Sequence, residues 1–314
     1  MKKPLSPKTL EKKYAELGLS EARLQLLHTY FRCFSNLYGV ISVRDAWDVF
    51  KHYEGLAVHR KDFTAFSGVV QREADLPYSV YELREVYSGE RSDSPLDRLI
   101  VNKDLVLSGY NRFIYIYATE EEQGGKPYYL PEKAFFLTFT EDQFYLTPQG
   151  RDMAAFFKNL RTGGTLRNFD GKATGALLDI YGNPVAGKRL SDFLYRTESE
   201  QFEIEHSKRE SEKRRLEAVR ETAADILLKR VRIYTMTGGI FANQSPGEEI
   251  NFWLEWLSTD VDVSLSDRQL ERFLALYERL NNYSHLWLNR GWSPIELHLE
   301  NMPASPPALS LGRN

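Results

Sequence analysis

Hydrophobic residues in the segment 20–76 recur at intervals of three and four, which is the spacing of helices that bury one face. Capping residues divide this segment into three predicted helices. Serine is a strong helix N-cap, and glycine readily takes the left-handed conformation that ends a helix. The predicted helices run from Ser20 to Gly39, from Ser42 to Gly55, and from near Arg60 towards Pro77.

After Pro77 the pattern changes to an alternation of apolar and polar residues, which predicts strands. The segments with this character are 78–87, 99–101 and 112–118, and turn-like residues lie between the first two. Three helices followed by a β-hairpin is the element order of a winged-helix domain. The predicted fold class is therefore mainly α with a small antiparallel β component (α+β), with a winged-helix-like N-terminal domain and a helical C-terminal domain.

The rest of the chain is predicted to be mostly helical, with irregular stretches. Residues 132–140 include a short apolar run that fits either a helix or a strand, and 150–160 has helical spacing. The glycine-rich stretch 162–188 predicts irregular structure or a small hairpin around Gly182. Residues 198–232 are charge-dense and lack glycine and proline, so they predict one long helix ahead of a compact helical end.

These patterns divide the chain into five predicted parts. They are an N-terminal arm (1–19), the winged-helix-like domain (20–130), a partly irregular connecting region (131–197), a helical domain with the long charged helix (198–300) and a proline-rich linker (301–314).

Composition narrows the classes of protein that fit. The net charge of −3 and the pI near 6.1 argue against attraction of the whole chain to nucleic acid or to a membrane. No apolar run reaches the ~18 residues that a membrane span requires, and the N-terminus has no apolar core like that of a signal peptide. The single Cys33 excludes an intramolecular disulfide. We therefore expect a cytoplasmic protein.

The sequence does not predict a catalytic or metal site. None of the six histidines pairs with another at the i, i+4 spacing of a helical zinc site, so we assign no metal and no cofactor to these residues. There is no Gly-x-Ser-x-Gly motif, and the glycines near Lys172 lack the spacing of a phosphate-binding loop. Carboxylates from distant segments can still converge, so the balance leans away from an enzyme without excluding one.

Two groups of basic residues are candidate nucleic-acid contacts. One group follows His206 in the charged segment, where lysine and arginine alternate with glutamate. That pattern fits either a solvated helix with i, i+4 ion pairs or an edge that contacts phosphates. The other group lies near the second and third helices, where it would surround a recognition helix. The candidates are Arg44, Arg60, Lys61, Arg72, Lys213, Arg214 and Arg215.

A tryptophan-rich segment near the C-terminus predicts a structural corner or a partner contact. Gly291 fits the left-handed end of one helix, and Pro294 fits the first position of the next. Arg290 lies between two tryptophans and is expected to stack on one of them. The residues of this segment that we single out are Asn282, Trp287, Arg290, Gly291, Trp292 and Pro294.

The chain resembles uncharacterised bacterial proteins that end in a SEC-C zinc motif. The resemblance lies in three segments, 281–297, 35–40 and 126–131, and in the Gly-Arg-Asn ending at Asn314. The resemblance is thin over 160–260. It implies a cysteine-rich zinc module after Asn314, so zinc is expected only in a longer natural form, and it implies contact with proteins or ribosomes. The SEC-C cysteines are absent from these 314 residues.

The leading hypothesis is a non-catalytic cytosolic adaptor that binds a protein or ribonucleoprotein partner. The alternatives are a winged-helix nucleic-acid-binding protein, or a nuclease or hydrolase of a mobile-element or defence system. A cleft with converging carboxylates and shifted pKa values would favour the enzyme. A basic or apolar surface without such a cluster would favour the adaptor.

Overall fold

The computed structural model of the protein describes residues 3–89, 94–107, 112–168, 170–206, 213, 217–238 and 246–300. Helices predominate, and two small antiparallel sheets accompany them. The predicted fold class, mainly α with a small antiparallel β component, is confirmed. Over these ranges, no helix combines the length and the apolar character that crossing a bilayer requires.

The N-terminal elements alternate helices with short strands. Strands β1, β3 and β2 lie side by side in that order and are antiparallel, with Ile100 of β3 opposite both Ile41 and Val80. The elements are α1 (Pro7–Glu16), α2 (Glu21–Tyr38), β1 (Val40–Ser42), α3 (Val43–Glu54), α4 (Arg60–Val70), β2 (Tyr78–Tyr81), α5 (Leu83–Val86) and β3 (Leu99–Asn102).

The predicted helix caps are present. The Ser20 hydroxyl accepts a hydrogen bond from the Arg23 backbone, and the Ser42 hydroxyl accepts one from the Asp45 backbone. Gly39 and Gly55 end α2 and α3 with positive φ values of 70° and 58°. Between these caps, aromatic side chains from the three helices form a core of their own.

Two predictions for this half of the chain are wrong. The segment predicted as a strand over 112–118 lies in helix α6 (Ile114–Gln123). The helix buries the Gln123 side chain, which donates to the backbone oxygens of Tyr38 and Trp287 at 2.9 Å each, and these contacts outweigh the strand propensity of the sequence. The strand predicted over 78–87 stops at Tyr81, because a capping box between Glu82 and Glu85 starts α5.

The second half of the chain is mainly helical, and strands β4 and β5 form a hairpin whose turn lies near Gly171. Around Gly182, where a small hairpin is one of the two predicted alternatives, the structure has a tight turn and an isolated β-bridge between Leu178 and Pro184. The elements of this half are α7 (Lys133–Phe136), α8 (Gln143–Leu146), α9 (Pro148–Asn159), β4 (Thr165–Arg167), β5 (Ala173–Ala176), α10 (Glu198–His206), α11 (Ala223–Thr237), α12 (Pro246–Val261), α13 (Asp267–Tyr283) and α14 (Pro294–Glu300).

The single long helix predicted over 198–232 is wrong. Thr222 has extended backbone angles and caps α11 through a capping box with Asp225. Thr222 also forms a β-bridge with Leu194, and the Tyr195 backbone donates to the Glu221 carbonyl at 3.0 Å. The chain is therefore held against the segment 194–195 just where the charge pattern predicted uninterrupted helix.

Trp287 joins the N-terminal and C-terminal halves. Its side chain is fully buried, and its Nε1 donates to the Asn36 carbonyl of α2 at 2.9 Å. The ring lies so close to Gly39 that a Cβ added there would lie 2.5 Å from the tryptophan Cγ. Gly291 similarly packs against Leu37 and Tyr38. We call this contact, together with the segment 126–131, the joint.

The segment 126–131 is clamped in this joint through its backbone. The Tyr38 hydroxyl donates to the Tyr129 carbonyl at 2.8 Å, and the Tyr129 amide donates to the Arg290 carbonyl at 3.0 Å. Trp292 Nε1 donates to the Pro127 carbonyl at 3.1 Å. The Arg290 guanidinium stacks on Tyr128, 4.5 Å from the ring centre, so the expectation that it stacks on a tryptophan is wrong.

We expect Gly39→Ala to destabilise the protein more than Gly55→Ala. Both substitutions put a side chain at positive φ, which costs ~1–2 kcal/mol. At Gly39 the new methyl also meets the Trp287 ring, and such overpacking costs a further ~1–3 kcal/mol, whereas nothing lies within 4 Å of a Cβ at Gly55. Urea unfolding of the two variants measures the difference, and equal losses would show that the Trp287 contact is not tight.

Candidate binding groove

Arg232 is a fully buried charge that contacts two segments far from it in the sequence. It lies on α11 with 2% of its side chain exposed, and its Nη1 is 2.7 Å from Asp104 Oδ2. Its Nε is 2.6 Å from Asp142 Oδ2, and its guanidinium carbon lies 4.8 Å from the centre of the Trp287 ring. Because a buried charge is costly without partners, these two carboxylates and the indole face make its position possible.

One cation and two carboxylates meet in this cluster. Burial raises the pKa of the Asp142 carboxyl, and the neighbouring Arg232 opposes that rise. Burial alone would lower the pKa of Arg232, but the Asp142 and Asp104 carboxylates raise it above its usual value. Both carboxylates therefore stabilise the charged form of the Arg232 guanidinium.

A cleft of about 250 Å³ opens beside Arg232. Its walls are mainly apolar and include three aromatic side chains, Tyr115 from α6, Tyr234 from α11 and Phe252 from α12. The charged residues that also line it are Asp104, Lys229, Arg230 and Arg232. The size and the apolar walls suit one side chain of a bound partner.

A second cleft, of about 710 Å³, adjoins the first because both are lined by Arg230 and Phe252. It lies between the β4–β5 hairpin and α12. The Arg230 guanidinium stacks over the Trp256 ring at 4.4 Å from its centre and pairs with Asp260. This pair gives the cleft a flat aromatic and cationic wall.

Two more clefts adjoin the first two. A third, of about 530 Å³, shares Leu166 and Tyr195 with the second and presents the exposed Phe202 of α10. A fourth, of about 520 Å³, lies on the other side of Arg232 and shares Asp104 and Arg232 with the first. The four clefts thus adjoin one another from the hairpin to the N-terminal sheet, and we call them together the groove.

The basic residues predicted near a recognition helix do not line the groove. Arg44 pairs with Asp97 at 2.6 Å, and Arg72 Nε donates to the Lys3 carbonyl at 2.8 Å. Arg60 and Lys61 are exposed at the start of α4. Residues 43–75 contain five lysines and arginines against six aspartates and glutamates, so this surface has no excess of positive charge.

The other predicted residues lie elsewhere. Lys213 is half-buried and lines none of the four clefts, while Arg214 and Arg215 lie outside the described residues, as does the predicted linker 301–314. Asn282 is exposed at the end of α13. The remaining residues of the C-terminal set belong to the joint or border it, namely Trp287, Arg290, Gly291, Trp292 and Pro294, the first residue of α14.

Sequence reasoning missed the groove. One signal was available, because Arg232 occupies a position of α11 between buried apolar residues and such a charge needs partners. Asp104 and Asp142 lie 128 and 90 positions before it in the chain, in turns with no pattern that connects them to α11. Phe252 and Trp256 belong to the predicted compact helical end, and both are half-buried in the structure.

Among the residues that the structure describes, no three histidine, cysteine, aspartate or glutamate side chains are grouped so as to hold a metal ion. Comparisons with protein-family models, with curated proteins and with solved structures find no match to this chain.

We expect Arg232→Met to destabilise the protein by ~3–5 kcal/mol, because it removes a fully buried cation and leaves the half-buried Asp142 carboxylate without it. The matched control is Arg230→Met, because the Arg230 side chain is 23% exposed against 2% for Arg232, and its loss should cost ~1 kcal/mol or less. Adding Asp142→Asn to Arg232→Met should recover part of the loss. Chemical denaturation of the four proteins measures this, and equal costs for the two arginines would contradict it.

The cost of Arg232→Met should also depend on pH. Without Arg232 the Asp142 pKa rises further above its unfolded value, so its charged form destabilises the fold above that pKa. As pH falls through the raised pKa, protonation relieves this penalty. The variant should therefore lose less stability at about pH 5 than at about pH 7.5, and a constant loss would show that Asp142 is not the group left unpaired.

Proposed function

We propose that this chain is a non-catalytic adaptor that binds a protein or ribonucleoprotein partner by holding a peptide segment of its protein component in the groove. The observation that carries the proposal is the length of the groove. Four adjoining clefts suit an extended chain better than a compact metabolite, which occupies one enclosed pocket.

The walls of the groove support a peptide ligand. Half-buried aromatic side chains and arginine are enriched at protein-binding surfaces, and the groove presents Phe252, Trp256 and Arg230 together. Arginine and lysine side chains along it are matched by aspartate and glutamate. A polyanionic nucleic-acid backbone would favour an excess of positive charge, so this balance favours a peptide.

The carboxyl groups whose pKa is raised do not suggest catalysis. Asp142 is held by Arg232. Burial raises the pKa of Glu120 on α6, and the Tyr87 hydroxyl donates a hydrogen bond to this carboxylate. Glu120 lines none of the four clefts. The single cysteine is buried and unpaired, which is consistent with action in the reducing cytoplasm.

The test is a selection of peptides from a random library displayed on phage against the whole chain. We expect binders with Kd values of about 1–100 µM. Truncating an aromatic wall residue typically costs a binding site ~1–2 kcal/mol, so Phe252→Ala and Trp256→Ala should each weaken the selected peptide about tenfold in a fluorescence polarisation titration.

The matched control is Leu56→Ala, because Leu56 is 71% exposed and lines none of the four clefts. Its affinity for the peptide should equal that of the original chain. Circular dichroism of each variant checks that the fold is intact. If selection gives no binder, or if the binder is as tight with Trp256→Ala as with the control, the groove is not a peptide site.

A further inference from the structure

Strand β5 has one paired edge and one open edge. Thr165 of β4 lies opposite Ala176, and Leu166 lies opposite Gly175. Within the ranges that the structure describes, no strand pairs with the other edge of β5. All four residues of β5 are exposed, and a Cβ added to Gly175 would meet no atom within 4 Å.

The outer edge of β4 is covered. The Thr165 amide donates to Asp262 Oδ2 at 2.8 Å, and the Gly163 amide donates to the Asp262 carbonyl at 2.7 Å. The Arg167 side chain fixes the other carboxylate oxygen at 3.0 Å. A partner strand can therefore pair with the open edge of β5 but not with the outer edge of β4.

Strand β5 contributes residues to the groove. Thr174 lines the second cleft together with Trp256, and Ala176 lines the third together with Phe202. The strand reads Ala-Thr-Gly-Ala, and such small side chains leave room for another backbone to approach. An exposed backbone edge next to apolar clefts is the arrangement that proteins use to bind an extended peptide as an added strand.

We propose that the partner segment binds as a strand added to the open edge of β5, with every second side chain turned into the groove. This proposal rests on the proposed function, since it specifies how the peptide is held. The partner segment is therefore expected to be extended, free of proline at its pairing positions, and apolar or aromatic at alternate positions.

The first test examines the peptide, using the binder selected on phage. Each of its backbone amides is methylated in turn, which removes one N–H without changing a side chain. Only alternate amides of a strand face the neighbouring strand, so affinity should fall about tenfold at every second position and change little between them. A profile without this period overturns strand addition.

The second test examines β5. The Leu177 amide donates to Gly164 next to β4, so by the alternation of a strand the Ala176 amide faces the open edge. Ala176→Pro should lower affinity for the peptide at least tenfold, because proline has no N–H to donate. The comparison variant Ala176→Val retains the N–H and should therefore lose clearly less affinity than Ala176→Pro.

The outcomes separate this proposal from the proposed function. If Trp256→Ala abolishes binding but the affinities of the methylated peptides show no period of two, the groove remains a peptide site and strand addition is overturned. If the affinities show a period of two and Ala176→Pro loses affinity while Trp256→Ala does not, the β5 edge is supported and the groove is overturned as the peptide site. Absence of both effects overturns both proposals.

Discussion

The burial of Trp287 is the contact on which the rest of the structure depends. The edge of its ring donates to the Asn36 carbonyl and thereby fixes the C-terminal segment to α2. Its face lies beneath the guanidinium of Arg232, which lines two of the four clefts. One indole therefore joins the two halves of the chain and supports a charge that two adjoining clefts share, so this part of the groove depends on the joint.

The buried charge adds a second constraint. Asp104 follows β3 in a short helical turn, and Asp142 caps α8, so Arg232 connects three segments that are far apart in the chain. Such a buried cluster contributes little net stability compared with apolar residues of the same size, since desolvation offsets much of the attraction. We infer that its main effect is to fix the relative positions of these segments, because a shift of any one would leave a charge without its partner.

Local rules predicted the parts of the fold that local chemistry determines. Ser20, Ser42 and Gly39 act within one helical turn, and each is where the sequence indicated. The helix over 114–123 could not be predicted from local pattern, because its alternating large side chains favour a strand. The helix is stabilised by hydrogen bonds from the buried Gln123 side chain to backbone carbonyls that are distant in the sequence. The break at Thr222 had a local signal, a Thr-x-x-Asp capping box, that the dense charges around it concealed. The groove depends on contacts over about a hundred residues and has no local pattern.

The location of the joint and of the groove along the chain suggests a division of roles. The segments 35–40, 126–131 and 281–297 meet one another in the joint. Most of the groove comes from 160–260. A scaffold assembled from the segments of the joint can tolerate substitutions at the surface of α12 or in the hairpin, because those residues do not hold the two halves together. We infer that the joint preserves the architecture, while the groove, as the proposed peptide site, determines which partner binds.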